Sequence, residues 1–348
     1  MMRRQRLKKP SSAMLPIKGA QRFLRPDINV ANKKTHDNIR RHKDIVAELR
    51  GTDAKLNLQP VLLGSTSDGK YRAKTSDGDI VFLRVSESKQ EMQQLKREYK
   101  MLEKLHKAGI SVPTPIEFNY SDTAAYFIVE FVEGGDLLNS FQTISEDTAY
   151  EYGYKVGKLI HDIGMVDATN AKLSWENGFR SLVLRPLMKI SEELKMDTPG
   201  LKETLNCAYS MRGVLASRPI QLIHSDLKPA NIILNPGGSF KLVDWGAAIP
   251  ACTTFACVHA LDSFESISYT IGKFHAYFGG DPTYEDWKLI SLYHVASAMS
   301  IVLNRVKQLK TAEPIHIERY SSTLISYDYL KNPVPGWYTN DHRTKAPQ

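Results

Sequence analysis

The fold is decided by two neighbouring segments, Leu222-Ile-His-Ser-Asp-Leu-Lys-Pro-Ala-Asn-Ile-Ile-Leu234 and Phe240-Lys-Leu-Val-Asp-Trp-Gly-Ala-Ala248. Each contains a short apolar run, at 232–234 and 240–243, and the turn Pro236-Gly-Gly238 separates the two runs. Two apolar runs joined by a glycine-rich turn are typical of a β-hairpin. The sequence therefore predicts a hairpin here, with polar residues at its ends.

The predicted hairpin gathers side chains that phosphoryl transfer requires. It would bring Asn231 and Asp244, thirteen residues apart, to neighbouring strand ends, with Asp226 on the loop just ahead. Phosphoryl transfer needs a carboxylate for the proton of the nucleophile, two oxygen ligands for Mg²⁺ and a cation to offset developing charge. Asp226 suits the first role, Asn231 and Asp244 suit the second, and Lys228 suits the third.

These segments resemble the His-x-Asp-x-x-x-x-Asn catalytic loop and the Asp-x-Gly metal motif of the protein-kinase-like superfamily. The resemblance implies a bilobal α+β fold, ATP as the phosphoryl donor and a packing role for His224. It also implies that Asp226 is the catalytic base and that Asn231 and Asp244 bind Mg²⁺. Trp245 replaces the Phe of protein kinases, as is common in small-molecule kinases of the superfamily.

The order of predicted elements agrees with two lobes, a small β-rich N-lobe and a larger, mainly helical C-lobe. A β-rich stretch that begins at Val61–Leu63 is followed by a helix at Glu87–Lys107 and a buried strand at Ala125–Val132. Glu133–Asp136 then reads as a hinge, and most of the chain beyond Asp147 has helical periodicity.

Charge divides the chain into a basic tail and a nearly neutral remainder. Residues 1–50 carry 14 Lys and Arg against 4 Asp and Glu, whereas the remainder carries 32 against 34. We expect a poorly ordered tail at 1–35, a nucleotide-binding N-lobe at 36–132, a C-lobe at 133–320 and a C-terminal extension at 321–348. The tail suits a solvated extension, a targeting or secretion signal, an anchor to an anionic surface, or a nucleic-acid-binding arm.

The predicted N-lobe contains a loop placed to cover the phosphates of a nucleotide. Gly64, Ser65 and Gly69 belong to this loop, but Thr66 stands where the pattern Gly-x-Gly-x-x-Gly has its middle glycine. Taken alone, the segment is more often an ordinary hairpin turn. The resemblance implies that it binds the nucleotide.

Arg84 occupies the strand position at which the superfamily normally has a phosphate-binding Lys. Its planar guanidinium is bulkier than an ammonium group, although it can pair with phosphate oxygens. Glu98, fourteen residues further on, is the expected ion-pair partner of Arg84, and Lys74 is an alternative cation.

The resemblance also implies that the backbone of Glu130 and Val132 binds the adenine ring. The side chain of Ile128 is expected to form a wall of the adenine pocket.

Two features favour the branch of aminoglycoside phosphotransferases and choline kinases. Glu130 and Asp226 are 96 positions apart, about twice the usual distance in protein kinases. We expect helices in this insertion at Glu151–Ile163, Ser181–Leu194 and Leu201–Leu215. No Ala-Pro-Glu motif, which anchors a peptide-binding segment, follows Gly246.

A small-molecule hydroxyl acceptor is therefore expected, with two alternatives. Lys228 is more typical of Ser/Thr protein kinases, and Arg84 with the incomplete glycine loop would suit a nucleotide-binding pseudokinase. Asp281, Glu285 and Asp286 form an acidic cluster that suits a helix cap better than a site for a cationic acceptor.

Composition argues against a membrane-spanning, a nucleic-acid-binding and a disulfide-rich protein. The sequence shows no apolar run of the ~20 residues that a transmembrane helix needs, and the neutral remainder predicts no specific nucleic-acid surface. The three cysteines are too scattered for a disulfide framework. We expect a cytoplasmic protein.

Overall fold

A five-stranded antiparallel sheet forms the N-terminal lobe in the computed structural model of the chain. The structure describes residues 28–51, 56–61, 69–166, 179–194, 198–258, 266–309 and 314–339. Gly64, Ser65 and most of the basic tail therefore lie outside the described residues. The strand order is β1-β2-β3-β5-β4. The N-lobe elements are α1 (Ile28–Arg50), β1 (Asn57–Pro60), β2 (Gly69–Lys74), β3 (Ile80–Ser86), α2 (Lys89–Lys107), β4 (Pro115–Tyr120) and β5 (Ala125–Glu130).

The first strand lies earlier in the chain than the predicted Val61–Leu63. Leu56 and Leu58 are both buried and alternate with exposed neighbours, as in a strand with one buried face. Helix α1 begins at Ile28. Residues 28–35, which were expected to belong to the poorly ordered tail, are therefore helical.

The two faces of the sheet pack against different helices. On one face, Leu83 and Ile128 lie in a small core covered by Val46 of α1. On the other face, Phe127 packs with Leu95 of α2 in the large core that continues into the C-lobe. Residues paired directly across antiparallel strands share a face, so this division fixes which side chains reach the cleft between the lobes.

The second lobe is mainly helical, which confirms the predicted α+β bilobal fold. Two small sheets lie within it, one with the order β6-β8-β9 and one that pairs β7 with β10. Its elements are β6 (Gly135–Asp136), α3 (Leu137–Ser140), α4 (Glu146–Val166), α5 (Arg185–Leu194), α6 (Leu201–Ser210), α7 (Arg212–Ser217), β7 (Gln221–Ile223), β8 (Ile232–Leu234), β9 (Phe240–Leu242), β10 (Ile249–Ala251), α8 (Thr253–Val258), α9 (Ile267–Phe278), α10 (Tyr284–Leu309), α11 (Pro314–Ser326) and α12 (Gly336–Thr339).

Glycines let α4 and α9 approach to backbone contact. A Cβ atom at Gly153 or Gly157 would lie closer than 3.0 Å to backbone carbonyls of α9, and one at Gly272 would meet the backbone of α4 equally closely. Further along α4, a Cβ at Gly164 would lie 3.1 Å from the side chain of Gln221. Helix α4 thus supports the start of β7, the strand that leads into the catalytic loop.

The insertion ahead of β7 is helical, as predicted. Helix α4 is longer than the predicted Glu151–Ile163, whereas the two predicted helices that follow it are interrupted. A π-helical turn at Arg180–Leu184 runs into α5, and a break at Met211 separates α6 from α7. The boundary expected after residue 320 falls inside α11, and Leu324 and Tyr327 beyond it are buried in the large core.

Helix α10 has the length and composition to cross a membrane over Tyr284–Lys307, a span that the sequence interpretation did not single out. Two-thirds of its most apolar window is buried inside the protein. A buried core helix has the same properties.

Candidate active site

The catalytic loop is organised around the carboxylate of Asp226. Its Oδ2 accepts hydrogen bonds from Lys228 Nζ at 2.8 Å and from Asn231 Nδ2 at 3.0 Å. Asn231 Nδ2 also donates to the backbone oxygen of Asp226 at 2.8 Å. Three of the predicted site residues are thus in direct contact, and the carboxylate is fixed by two donors.

The metal motif is joined to this loop through the backbone. The N–H of Val243 donates to the backbone oxygen of Asn231 at 3.0 Å. This bond extends the pairing of β8 with β9 by one residue, since Ile232 pairs with Leu242. His224 is 1% exposed, lies 4.5 Å from the Trp245 ring and contacts Val243 O through Nε2 at 2.9 Å. Since a carbonyl only accepts, Nε2 donates. His224 therefore has the packing role that the sequence predicted.

Two residues beside the site have left-handed backbone conformations, Ser225 with φ 58° and Asp244 with φ 65°. Such conformations cost about 1–3 kcal/mol for residues other than glycine and are concentrated at functional sites. The Ser225 hydroxyl donates to the backbone oxygen of Ala247 at 2.5 Å, which helps to hold both turns. Asp244 itself is exposed.

The residues present fit a magnesium ion. Because Asn231 Nδ2 is engaged with Asp226, its Oδ1 is the atom left to act as a ligand, and Asp244 supplies carboxylate oxygens. Among the described residues, no group of three or more His, Cys, Asp or Glu side chains lies close enough together to hold a metal ion. Mg²⁺ is commonly held by one or two protein oxygens together with substrate phosphates rather than by a full protein cage, so Asn231 and Asp244 suffice.

Across the cleft, Arg84 and Glu98 form a buried ion pair. Arg84 Nη1 lies 2.5 Å from Glu98 Oε2, and the two side chains are 3% and 4% exposed. The guanidinium also lies 5.6 Å from the centre of the Phe127 ring. Burial raises the pKa of Glu98, Arg84 opposes this shift, and the negative charge of Asp244 adds to it. Asp244 is thus close enough to act electrostatically on the pair.

The structure adds one cation that the sequence interpretation missed. Lys70 on β2 pairs directly with Arg84 on β3, so both face the cleft, and its positive charge acts on Glu98. Lys74, the alternative that the sequence suggested, pairs with Ile80 at the far end of the hairpin and is exposed. Lys74 is therefore the wrong alternative. The register of β2 against β3 decides which lysine lies beside Arg84, and no short sequence pattern reveals that register.

The side chain of Glu130 ties the hinge to the C-lobe. Its Oε2 accepts from Lys241 Nζ at 2.5 Å, from Thr114 Oγ1 at 2.7 Å and from Thr114 N at 3.1 Å. Burial alone would raise the pKa of Glu130, but the bonds from Lys241 and Thr114 outweigh it and lower the pKa. In the part of the chain that the structure describes, no backbone oxygen accepts from the N–H of Val132.

Ile128 does not line the cleft, and that prediction is wrong. It pairs with Leu83 and packs in the small core beneath α1. Side chains alternate between the faces of a strand, so Phe127 and Val129 face the cleft side instead. Phe82, paired with Val129, is an apolar residue of β3 on that face.

The acidic turn before α10 is occupied by structural contacts. Thr283 and Asp286 form a reciprocal cap, with Asp286 N donating to Thr283 Oγ1 at 3.2 Å and Thr283 N donating to Asp286 Oδ2 at 3.1 Å. Arg218 contacts Asp286 at 3.1 Å. Asp281 contacts His275 at 3.1 Å rather than capping the helix. The cap interpretation is correct in kind, with Thr283 as the capping residue.

Comparison with known proteins places this geometry in a family. A model described as the phosphotransferase enzyme family (APH) matches residues 57–288. A search of curated proteins gave no match.

Several solved structures share the fold. A macrolide 2'-phosphotransferase from Brachybacterium faecium has a TM-score of 0.58 at 16% identity, covering 80% of this chain and 96% of that one. A choline/ethanolamine kinase family protein from Mesorhizobium loti has a TM-score of 0.57 at 16% identity, covering 80% and 91%. An amicoumacin kinase in complex with AMP-PNP, Ca²⁺ and Ami has a TM-score of 0.57 at 12% identity, covering 89% and 96%.

The family match spans about two-thirds of the chain, including both lobes and the whole catalytic loop. The predicted resemblance is confirmed, and the likeness to the solved structures shows the same fold. The chain belongs to the phosphotransferase enzyme family.

Proposed function

We propose that the protein transfers the γ-phosphate of ATP to a hydroxyl of a small molecule, in a reaction that requires Mg²⁺. The observation that carries this proposal is the joined set Asp226, Asn231 and Asp244, which faces the Arg84–Glu98 pair. Positioning and charge stabilisation account for most of the catalysis of phosphoryl transfer, and this set supplies both.

Asp226 is the base of the proposed reaction. Its carboxylate would accept the proton of the acceptor hydroxyl as the oxygen attacks the γ-phosphorus, while the bond from that phosphorus to the bridging oxygen breaks and ADP leaves. Lys228 and Asn231, which both donate to Oδ2, hold the carboxylate in one orientation. Lys228 also brings positive charge to the place where negative charge develops.

The remaining groups of the site would bind the nucleotide. Val132 N–H and the backbone oxygen of Glu130 would meet the adenine edge, and Lys70 and Arg84 would face the phosphates. Asn231 and Asp244 would hold Mg²⁺, which when bound neutralises phosphate charge. ATP is supported by the presence of AMP-PNP in the amicoumacin kinase complex.

A small-molecule acceptor is favoured over a protein by the helical insertion of α5, α6 and α7 between α4 and the catalytic loop. The solved structures with this fold carry names that specify macrolide, choline or ethanolamine, and amicoumacin. The contact between Lys228 and Asp226 at 2.8 Å is the observation that favours a protein acceptor, the alternative.

The test is transfer of labelled γ-phosphate from ATP–Mg²⁺, with wild type and Asp226→Asn measured side by side. Asparagine keeps an oxygen that can accept from Lys228 and Asn231 but cannot serve as the base. We expect kcat to fall by about 10²–10⁴, the usual contribution of general base catalysis, with the Kd for ATP little changed.

The acceptors would be aminoglycosides, macrolides, choline and a generic basic protein. Label on a small molecule that the variant no longer transfers would support the proposal. Label on the protein alone would favour a protein kinase, and bound nucleotide without transfer to any acceptor or to water would favour a pseudokinase. Equal rates for the two proteins would remove Asp226 from the mechanism.

A further inference from the structure

Helix α1 crosses the outer face of the N-lobe sheet and contacts the strand that begins at Gly69. The ring of His42, which is 9% exposed, lies against this strand. His42 Nδ1 is 2.6 Å from the hydroxyl of Tyr71, and the two rings meet edge to face at 5.6 Å. The hydrogen bond and the ring contact fix the imidazole over β2.

Gly69 of β2 lies against the ring of His42 on α1. A Cβ atom at Gly69 would lie closer than 3.0 Å to both Nδ1 and Cε1 of His42 and 2.7 Å from Cε2 of Tyr71. No L side chain fits there unless a ring moves. The backbone of Gly69 is therefore in contact with a buried ring whose own position is fixed by Tyr71.

The residue between these two contacts is Lys70, the cation that faces the cleft. Gly69 and Tyr71 pair with Val85 and Leu83, and Lys70 pairs with Arg84. Because neighbouring residues in a strand point to opposite faces, a contact that fixes Gly69 and Tyr71 on the outer face also fixes where Lys70 lies on the inner face. Its charge acts on Glu98, the partner of Arg84.

Other contacts hold the C-terminal half of α1 in place. Arg41 Nη2 lies 2.7 Å from Glu87, just before α2. Arg50 Nε donates to Glu117 Oε1 at 3.1 Å, and Asn119 Nδ2 donates to the backbone oxygen of Leu49 at 2.6 Å. The helix thus contacts β2, the entrance to α2 and strand β4, which together frame the nucleotide side of the cleft.

We propose that α1 is a positioning element of the nucleotide site and that His42 is its positioning residue, acting through Gly69 and Tyr71 on Lys70. This inference rests on the proposed function, because it assumes that Lys70 faces bound ATP. In this arrangement the nucleotide affinity depends on a helix that does not touch the nucleotide.

The test compares four variants by direct binding of ATP–Mg²⁺ and by steady-state kinetics. Gly69→Ala pushes against the His42 ring, His42→Ala removes the ring, and the double variant removes the clash. Val46→Ala is the matched control, since Val46 is 1% exposed on the same helix and packs in the small core without contacting Gly69. Thermal unfolding of all four proteins reports the structural cost.

We expect Gly69→Ala to raise the Kd for ATP roughly tenfold to a hundredfold, the effect of a displacement near 1 Å in a site. His42→Ala should raise it about twofold to thirtyfold, the range for residues that act through others. The double variant should bind ATP more tightly than Gly69→Ala, and the KM for the acceptor should stay constant throughout. Val46→Ala should lower Tm without changing the Kd.

Four results would overturn the inference. Wild-type affinity for ATP in both single variants would show that α1 does not position the site. An equal rise of the Kd for ATP in Val46→Ala would show that α1 contributes only general packing. A double variant no better than Gly69→Ala would exclude His42 as the group that is contacted. Failure of the wild type itself to bind ATP–Mg²⁺ would overturn this inference and the proposed function together, whereas binding by the wild type with unchanged variants overturns this inference alone.

Discussion

Replacing Glu98 by Gln should destabilise the protein strongly although the two side chains have almost the same shape. Arg84 is 3% exposed and its guanidinium lies 2.5 Å from Glu98. The substitution leaves no cavity but removes the carboxylate charge that lies opposite the buried guanidinium of Arg84. Removing one partner of a buried ion pair typically costs about 3–5 kcal/mol.

The expected value lies at the lower end of that range. Burial raises the pKa of Glu98, which means that its own carboxylate is costly to bury, and the variant avoids that cost. We therefore expect the free energy of unfolding to fall by about 3 kcal/mol. At roughly 2–4 °C per kcal/mol for a large domain, Tm should fall by about 6–12 °C.

Urea and thermal unfolding near pH 7 measure this effect, and a double variant isolates its cause. Arg84→Met with Glu98→Leu replaces the pair by apolar side chains of similar volume, which is often neutral or stabilising. The double variant should recover most of the lost stability but not the affinity for ATP. A loss under about 1 kcal/mol in Glu98→Gln would refute the reasoning, because Arg84 would then be solvated in a way that its burial does not allow. A double variant as unstable as Glu98→Gln would refute it equally.

Three further predictions concern other parts of the molecule. Asp244→Ala should abolish the Mg²⁺ dependence of ATP binding, measured by titration with and without the metal, and an unchanged dependence would exclude Asp244 as a ligand. The pKa of Glu130 is lowered in the folded protein from 4.5, so its contribution to stability is present above pH 4.5 and is lost as the pH falls further. Lys241→Met should therefore make the fall of Tm below pH 4.5 shallower, and an equally steep fall would count against the pair. Gly157→Ala should cost about 1–3 kcal/mol by overpacking α4 against α9, whereas Gly213→Ala, which meets nothing within 4 Å, should be neutral or slightly stabilising in thermal unfolding.

The catalytic loop could be predicted because its geometry is set over short distances in the chain. A hairpin with a turn of five residues determines where Asn231 and Val243 lie relative to each other, and the observed bond between their backbones at 3.0 Å follows from that pairing. Asp226 is five residues from Asn231, so its position depends on the same turn. Local turn chemistry was sufficient here.

Contacts between distant segments could not be predicted in the same way. Glu130 and Lys241 are 111 residues apart, and the sequence interpretation gave Glu130 a backbone role only. His42 and Tyr71 are 29 positions apart, with strand β1 between them. Neither pair has a motif, because a helix or strand that presents a polar residue to a neighbour has the same local pattern as one that presents it to water.

The direction of Ile128 depends on strand pairing as well as on alternation. Arg84 must face the cleft to serve a phosphate, so Leu83 and Val85 must face away from it. The register between β3 and β5 then decides whether Phe127 or Ile128 shares the face of Arg84, and it places Leu83 opposite Ile128, 45 positions further along the chain. Periodicity gives the two faces of each strand, but only the pairing shows which face of one strand meets which face of the next.

The same argument changes how Arg84 is understood. Taken from the sequence alone, an Arg in place of the usual Lys suggested a weakened phosphate site. In the structure the guanidinium is engaged with Glu98 and stacked near Phe127, and Lys70 on the neighbouring strand brings an ammonium group to the same face. A single Lys would pair with the helix glutamate and also meet the phosphate. Here Arg84 pairs with the glutamate, and Lys70 is placed to meet the phosphate. In the proposal above, His42 of α1 positions Lys70 through Gly69 and Tyr71. The role of Arg84 then depends on α1, because Lys70 supplies the ammonium group beside it.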